Sequence, residues 1–237
     1  MAKISVQNVT VEYPIYQARS RSLKNAVLSA ATGGTFAQGA KDIVVVRALE
    51  DISFELSDGE RLGIVGHNGS GKSTLLRTLS SVYAPTRGQI LVEGRVVSML
   101  NISLGLDSEA TGLENIYMRG LLLGFSRAKI KSVVDEICDF AELGNFIYMP
   151  LRTYSSGMAM RLAFAISTTV DADIILMDEW LSVGDKSFAA KAQDRIQTFV
   201  KKAGILVVAS HDRPMIDSMC NKIIEMEHGR VKARINA

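Results

Sequence analysis

The sequence predicts an α/β fold built on a mainly parallel sheet, and three features carry that expectation. Apolar, strand-like runs alternate with stretches of helical period along most of the chain, the pattern of parallel strands with helices between them. One such run, RLGIVG at 61–66, leads directly into G-x-x-x-x-G-K-S. Another, DIILMD at 173–178, ends in acidic residues.

Taken in order, Ile4, Val6, Val9, Val11 and Tyr13 alternate loosely across residues 3–13 and read as a strand. Residues 14–41 break the pattern with a basic run (Arg19, Arg21, Lys24) and then GGTFAQG, and read as an insertion or lid. IVVV and ISFEL, within 43–56, resume strand character before the turn signal Ser57-Asp58-Gly59. RLGIVG is short and uninterrupted, which suits a strand buried on both faces, and a helix is expected from about Gly71 to Ser80. Pro85 and Gly88 mark a loop, and QILVEGRVVSML (89–100) reads as two strands around Gly94.

A helical block at about 107–170 then reads as a separate lobe inserted into the sheet. Thr111-x-x-Glu114 is a capping box that opens its first helix. Gly124 ends that helix and Ser126 caps the next, whose apolar stripe is Ile130, Val133, Val134, Ile137, Cys138 and Ala141, with Gly144 as its expected C′ residue. A third helix is expected from Ser156 to about Thr169. Beyond the acidic strand come a helix near 186–203 stopped by Gly204, a second apolar strand at 204–210, a short helix after Pro214 and a hairpin around His228-Gly229.

Composition removes several classes of function. The 237 residues are 47% hydrophobic and 22% charged, as a globular core requires. A net charge of +2 leaves no electrostatic footprint for nucleic acid. Cys138 and Cys220 stand far apart, which excludes a disulfide scaffold or a cysteine-rich zinc site, and three histidines are too few for a multi-histidine metal centre. No run of 18 uncharged apolar residues exists, and MAKISVQNVT has no apolar core of a secretory signal. Any link to a membrane is expected to come through a partner.

Gly66-His67-Asn68-Gly69-Ser70-Gly71-Lys72-Ser73, continuing to Thr74, is a phosphate-binding loop. Its glycines let successive N–H groups turn toward phosphate oxygens, and the helix that follows adds its partial positive charge. Lys72 is expected on the β and γ phosphates and Ser73 on Mg²⁺. Asp178, at the end of the buried acidic strand, is the candidate to hold Mg²⁺, and Glu179 the candidate to orient or deprotonate an attacking water. His211 ends the other apolar strand, where parallel strands deliver residues to the ligand edge, and is read as a contact for the γ-phosphate or the water. His67 and His228 read as a loop spacer and a hairpin residue.

Further motifs bring in a family. Tyr154-Ser155-Ser156-Gly157-Met158-x-x-Arg161 resembles the LSGGQ signature of ABC-type ATPases, and Asp178-Glu179-Trp180-Leu181-Ser182-Val183-Gly184-Asp185 resembles their Walker B strand running into the D-loop. His211 matches the switch histidine, and Tyr13, with Tyr16 as the weaker candidate, matches the aromatic that stacks on adenine. The YSSGM and DEWLSVGD segments, Phe188, Lys191, the ATGLENI stretch at 110–116 and the long N-terminal insertion resemble the ATP-binding subunits of bacterial polysaccharide exporters, of the O-antigen, capsule and teichoic-acid systems. Two departures stand out: no Gln lies between Gln89 and Gln193, so the Q-loop glutamine is missing from its place near Asn101 to Ser103, and Ser156 replaces a signature glycine.

The resemblance implies one nucleotide-binding domain over 1–237 with a mainly parallel core sheet, an N-terminal antiparallel β-subdomain and an inserted helical subdomain; the carbohydrate-binding domain that some members carry after it is not expected past Ala237. It implies ATP hydrolysis with Mg²⁺ in a dimer in which Ser155 and Gly157 of a second copy touch the γ-phosphate and Asp185 runs along the seam. It implies an integral membrane permease as partner, in two copies, at the cytoplasmic face of the inner membrane, with a lipid-linked polysaccharide as cargo. The permease would meet the region of 99–125, where Leu121-Leu122-Leu123 reads equally as contact or helix core. The competing readings are the ATPase of a drug exporter or importer, against which YSSGM and the missing glutamine argue, and a soluble ABC protein acting on DNA or ribosomes, against which the near-neutral charge argues.

Overall fold

The computed structural model describes residues 1–15, 36–38, 44–179 and 186–236. Most of the insertion expected at 14–41, and Asp185 of the expected D-loop, lie outside them. The chain forms two compact units: one of Met1–Val96, Asp173–Trp180 and Gly204–Ala237, the other of Val97–Ala172 and Leu181–Ala203.

The first unit carries two sheets. In the antiparallel one, ordered β2-β3-β1-β5, strand β1 (Lys3–Ile15) pairs with both β3 (Val44–Ser57) and β5 (Arg87–Glu93), and β2 (Phe36–Gln38) joins the outer edge of β3. Val44–Val46 and ISFEL therefore belong to a single strand. The second sheet is ordered β10-β9-β4-β8-β7-β6. Its strands β4 (Arg61–Val65), β7 (Ile174–Asp178), β8 (Ile205–Ala209) and β9 (Lys222–Glu227) run parallel, and β10 (Arg230–Asn236) returns antiparallel on β9. Residues 174–177 and 205–209 are at most 1% exposed. Such strands have no solvated face, so their sequences show continuous apolar runs rather than alternation. Each fully buried Ile or Leu there contributes about 1.5–3 kcal/mol relative to exposure.

The two strands expected around Gly94 exist but are not a hairpin. β5 lies in the antiparallel sheet and β6 (Val96–Ser98) in the other. The turn between them is pinned to the start of β7: Arg95 N–H donates to Asp173 Oδ2 at 2.7 Å, and Arg95 O accepts from the N–H groups of Asp173 and Ile174 at 3.0 Å. Those bonds redirect the chain from one sheet to the other.

The second unit is helical. It holds α2 (Gly112–Leu122), α3 (Arg127–Ala141), α4 (Ser156–Ser167) and α5 (Lys186–Lys202), while the first unit contributes α1 (Lys72–Leu79) and α6 (Arg213–Met219). Thr111 and Glu114 form the expected capping box, with Glu114 N–H on Thr111 Oγ1 at 3.2 Å and Thr111 N–H on Glu114 Oε2 at 2.8 Å. Ser126 caps α3, which buries Ile130, Val133, Ile137, Phe140 and Ala141, with Val134 and Cys138 half-buried beside them. The left-handed residue that ends α3 is Glu142, φ +54°, and not Gly144, which starts a 3₁₀ turn. Lys191 Nζ holds the Glu142 carboxylate at 2.5 Å. The core of this unit centres on the rings of Phe140, Phe164 and Phe188.

Candidate nucleotide site

Parallel register brings the site together in the first unit. Strand β8 lies between β4 and β7, with Ala209 opposite both Ile64 and Asp178. Neighbouring strands lie about 4.8 Å apart, so the loop after β4, the carboxylates after β7 and His211 after β8 emerge side by side at one sheet edge, where ligands of parallel sheets bind.

The loop 66–74 turns from β4 into α1. Ser70 N–H donates to His67 O at 3.1 Å, and Gly229 N–H, from the final hairpin, donates to Ser70 O at 2.9 Å. Lys72 Nζ donates to Gly66 O at 2.7 Å and His67 O at 3.0 Å, which puts its ammonium across the inside of the curl. Gly71 has φ +104°, and a Cβ there would come within 2.9 Å of Ala48 O, so glycine is required on both conformational and spatial grounds. Side chains cap α2, α3, α4 and α6, but none caps α1. Its first N–H groups therefore have no side-chain cap and are available to an anion.

The expected residues divide by what their side chains do. Asn68 and Gly69 are exposed; Ser73 and Thr74, on the first turn of α1, are half-buried. Ser70 is fully buried, so it serves the loop through its backbone. His67 donates from Nδ1 to Asn68 O at 2.8 Å, and its ring meets the edge of His228 at 5.1 Å. The two histidines that read as spacer and hairpin residues therefore touch, a pairing 161 residues apart in sequence and invisible to any local signal.

Asp178 closes β7. Glu179 follows at φ +66°, with its N–H on Ala209 O at 2.7 Å and its Oε1 2.9 Å from His211 Nδ1. A left-handed glutamate is uncommon; here it swings the carboxylate out of the strand and onto the imidazole. Both side chains are largely exposed, so their contact contributes little to stability. Ser73 and Asp178 offer a hydroxyl and a carboxylate, hard oxygen donors of the kind Mg²⁺ takes alongside phosphate. Tyr13 packs edge-on against Tyr83 at 5.4 Å, with its hydroxyl buried beside Tyr83 and Thr74 and its pKa raised mainly by that burial.

Ser155 and Gly157 lie in the helical unit. Ser155 caps α4, its Oγ accepting from Met158 N–H at 3.2 Å. A Cβ on Gly157 would meet nothing nearer than Ser155 Oγ at 3.8 Å, so the approach to this helix end is open. The preceding Tyr154 donates its hydroxyl to Phe146 O at 2.6 Å, and the Tyr154 hydroxyl oxygen lies where a Cβ on Gly112 would sit. The glycine of the ATGLENI stretch is thereby tied to the tyrosine of YSSGM. Asn101, offered as a stand-in for the missing glutamine, is exposed in a turn where its carbonyl accepts from Leu104 N–H at 3.1 Å.

The ABC transporter family profile matches residues 49–182. The chain is 46% identical over 98% of its length, and 97% of the other's, to the O-antigen export system ATP-binding protein RfbE of Yersinia enterocolitica. It is 38% identical over 97% of its length to the O-antigen export system ATP-binding protein RfbB of Klebsiella pneumoniae, covering 92% of that protein. It is also 39% identical to the teichoic acids export ATP-binding protein TagH of Bacillus anthracis, of which it spans 40%. In fold it matches the dimeric, ADP- and Pi-bound ATP-binding cassette MJ0796 with a TM-score of 0.70 over 98% of both chains at 20% identity.

Proposed function

We propose, from the premise that this chain belongs to the ABC transporter family, that it is the ATP-hydrolysing motor subunit of a bacterial exporter. Its cargo is a lipid-linked polysaccharide of the O-antigen, capsule or teichoic-acid type. The observation that carries the reading is 46% identity, over nearly the whole of both chains, to an O-antigen export ATP-binding protein.

The first unit's sheet edge supports the chemistry. The loop 66–74 and the uncapped start of α1 wrap the phosphates, and Lys72 exchanges its two carbonyl partners for β and γ phosphate oxygens. Ser73 and Asp178 hold Mg²⁺, which when bound neutralises charge on the phosphates. Glu179 takes the proton of the attacking water, and His211 holds that carboxylate in place and reaches toward the γ-phosphate. Tyr13 supplies an aromatic wall for adenine beside Tyr83.

This edge leaves the γ-phosphate approachable from one side. A second copy supplies the closing wall through its Ser155 and Gly157, at the positive end of α4, while Asp185 follows the seam. Residues 107–170 act as the helical subdomain in this scheme. No helix among the described residues is long and apolar enough to cross a membrane, so attachment at the cytoplasmic face runs through two copies of a permease. The exposed Leu104, Leu121 and Leu122 of the helical unit support a permease contact there.

Affinity purification of the chain from gently solubilised native membranes, followed by mass spectrometry, tests the reading. A stoichiometric integral membrane protein carrying glycan or lipid-linked glycan is expected. Recovery of soluble proteins or nucleic acid alone would overturn it.

A further inference from the structure

The far end of the signature helix α4 is held by two arginines through three consecutive hydroxyls. Ser167, Thr168 and Thr169 each donate back to a carbonyl of the preceding turn: Ala163 O at 2.8 Å, Phe164 O at 2.9 Å and Ala165 O at 2.8 Å. With its proton spent that way, each hydroxyl oxygen is left to accept. Arg119 Nη2 donates to Ser167 Oγ at 2.9 Å, and Arg195 donates from Nε to Thr168 Oγ1 and from Nη2 to Thr169 Oγ1, both at 2.9 Å.

The two arginines come from different helices. Arg119 is on α2, near the exposed Leu121 and Leu122. Arg195 is on α5, the helix that follows the expected D-loop, and it also binds Glu136 of α3 at 2.8 Å and lies 4.5 Å over the Phe140 ring. Arg119 is 6% exposed, and its Nη1 has no hydrogen-bond partner among the described residues. A buried guanidinium so poorly satisfied costs stability, and an apolar side chain of similar length would fill its place more cheaply. The other end of α2 is fastened as well: Thr111 pairs with Pro150 on the approach to the signature, and Gly112 makes room for the Tyr154 hydroxyl. Helix α2 therefore splints α4 from the residue before its N-cap to its last residue.

We infer that Arg119 and Arg195 are positioning residues for ATP hydrolysis: they clamp the C-terminal end of α4 and so aim its N-terminal end, with Ser155 and Gly157, at the γ-phosphate held by a second copy. The inference rests on the two-copy reading above. Cations at the negative end of the helix complement an anion at its positive end. The helix is about 18 Å long at 1.5 Å per residue, so a tilt of about 5° at the clamp moves the phosphate-facing end by about 1.5 Å, and misplacement of about 1 Å is enough to cost 10²-fold in rate. Movement of α2 or α5 reaches the same helix through the same three hydroxyls.

The test uses full-length Arg119→Met, Arg195→Met and the double substitution Thr168→Val with Thr169→Val, which keeps side-chain shape. Five quantities are read: melting temperature, ATP affinity of the monomer, kcat, KM, and ATP-driven dimerisation in a Glu179→Gln background. The clamp predicts folded proteins with unchanged monomer affinity, kcat lowered by about ten-fold or more, as for a lost hydrogen bond to a charged group, and dimerisation weakened in step. Arg195→Lys, which keeps the charge but loses the fork, is expected to fall between wild type and Arg195→Met. Folded variants with kcat and dimerisation within two-fold of their parents would overturn the clamp. If a methionine variant fails to fold, the valine pair decides on the same criterion. A Glu179→Gln parent that does not dimerise with ATP would overturn the two-copy reading, and this inference with it.

Discussion

Replacing Glu179 by Gln separates chemistry from architecture more cleanly than any other single change here. The amide has the same size, and its Oε1 still accepts from His211 Nδ1, so the 2.9 Å contact survives. The left-handed backbone and the N–H bond to Ala209 O do not depend on charge. The two side chains are 59% and 75% exposed, and a side-chain contact so placed is worth less than about 1 kcal/mol. The melting temperature should therefore move by no more than about 3 °C, and ATP affinity should hold, because the loop and Lys72 are untouched. What is lost is the base. General-base catalysis contributes about 10²–10⁴-fold, or about 3–5 kcal/mol of barrier. Single-turnover phosphate release, with protein in excess over ATP, reads that loss directly. A rate within ten-fold of wild type would refute the assignment of Glu179 as the base.

Three more outcomes are expected. Lys72→Ala should weaken ATP binding by about 10- to 100-fold, the range for a hydrogen bond to a charged group, as read by calorimetry; unchanged affinity would remove the lysine from the phosphate site. Thr111→Val should abolish the capping box of α2 and lower the melting temperature by about 2–4 °C. Burial raises the Cys220 thiol from its ordinary value of 9.0 to about 11. Its contribution to stability is thus intact below pH 9 and is lost as pH rises toward 11, because the unfolded thiol ionises first. Urea unfolding between pH 9 and 11 should show a shallower decline in Cys220→Ala than in wild type.

Much of the candidate site's geometry is legible in the sequence because it is local. The phosphate loop, Asp178-Glu179 and the Thr111 capping box are short patterns whose backbone consequences are set within a few residues, and the apolar runs of β4, β7 and β8 are continuous because those strands are buried on both faces. The features that escaped depend on distant partners. β5 and β6 part because Asp173, 78 residues beyond Arg95, holds the turn between them. Glu142 rather than Gly144 ends α3, and its carboxylate meets Lys191, 49 residues on. The hydroxyl trio at 167–169 reads as an unremarkable polar helix end until Arg119 and Arg195 arrive from 48 and 27 residues away. Tyr13 matches a stacking position only through resemblance to the family, and only the fold sets it against Tyr83.

The most direct measurement is made in the organism that encodes the chain. Its gene is deleted, and polysaccharide is followed on both sides of the cytoplasmic membrane. Export driven by this ATPase predicts that surface polymer disappears, that lipid-linked polymer accumulates inside, and that wild-type protein restores the surface polymer while an equal amount of Glu179→Gln does not. Normal surface polymer in the deletion strain, or full restoration by Glu179→Gln, would contradict it.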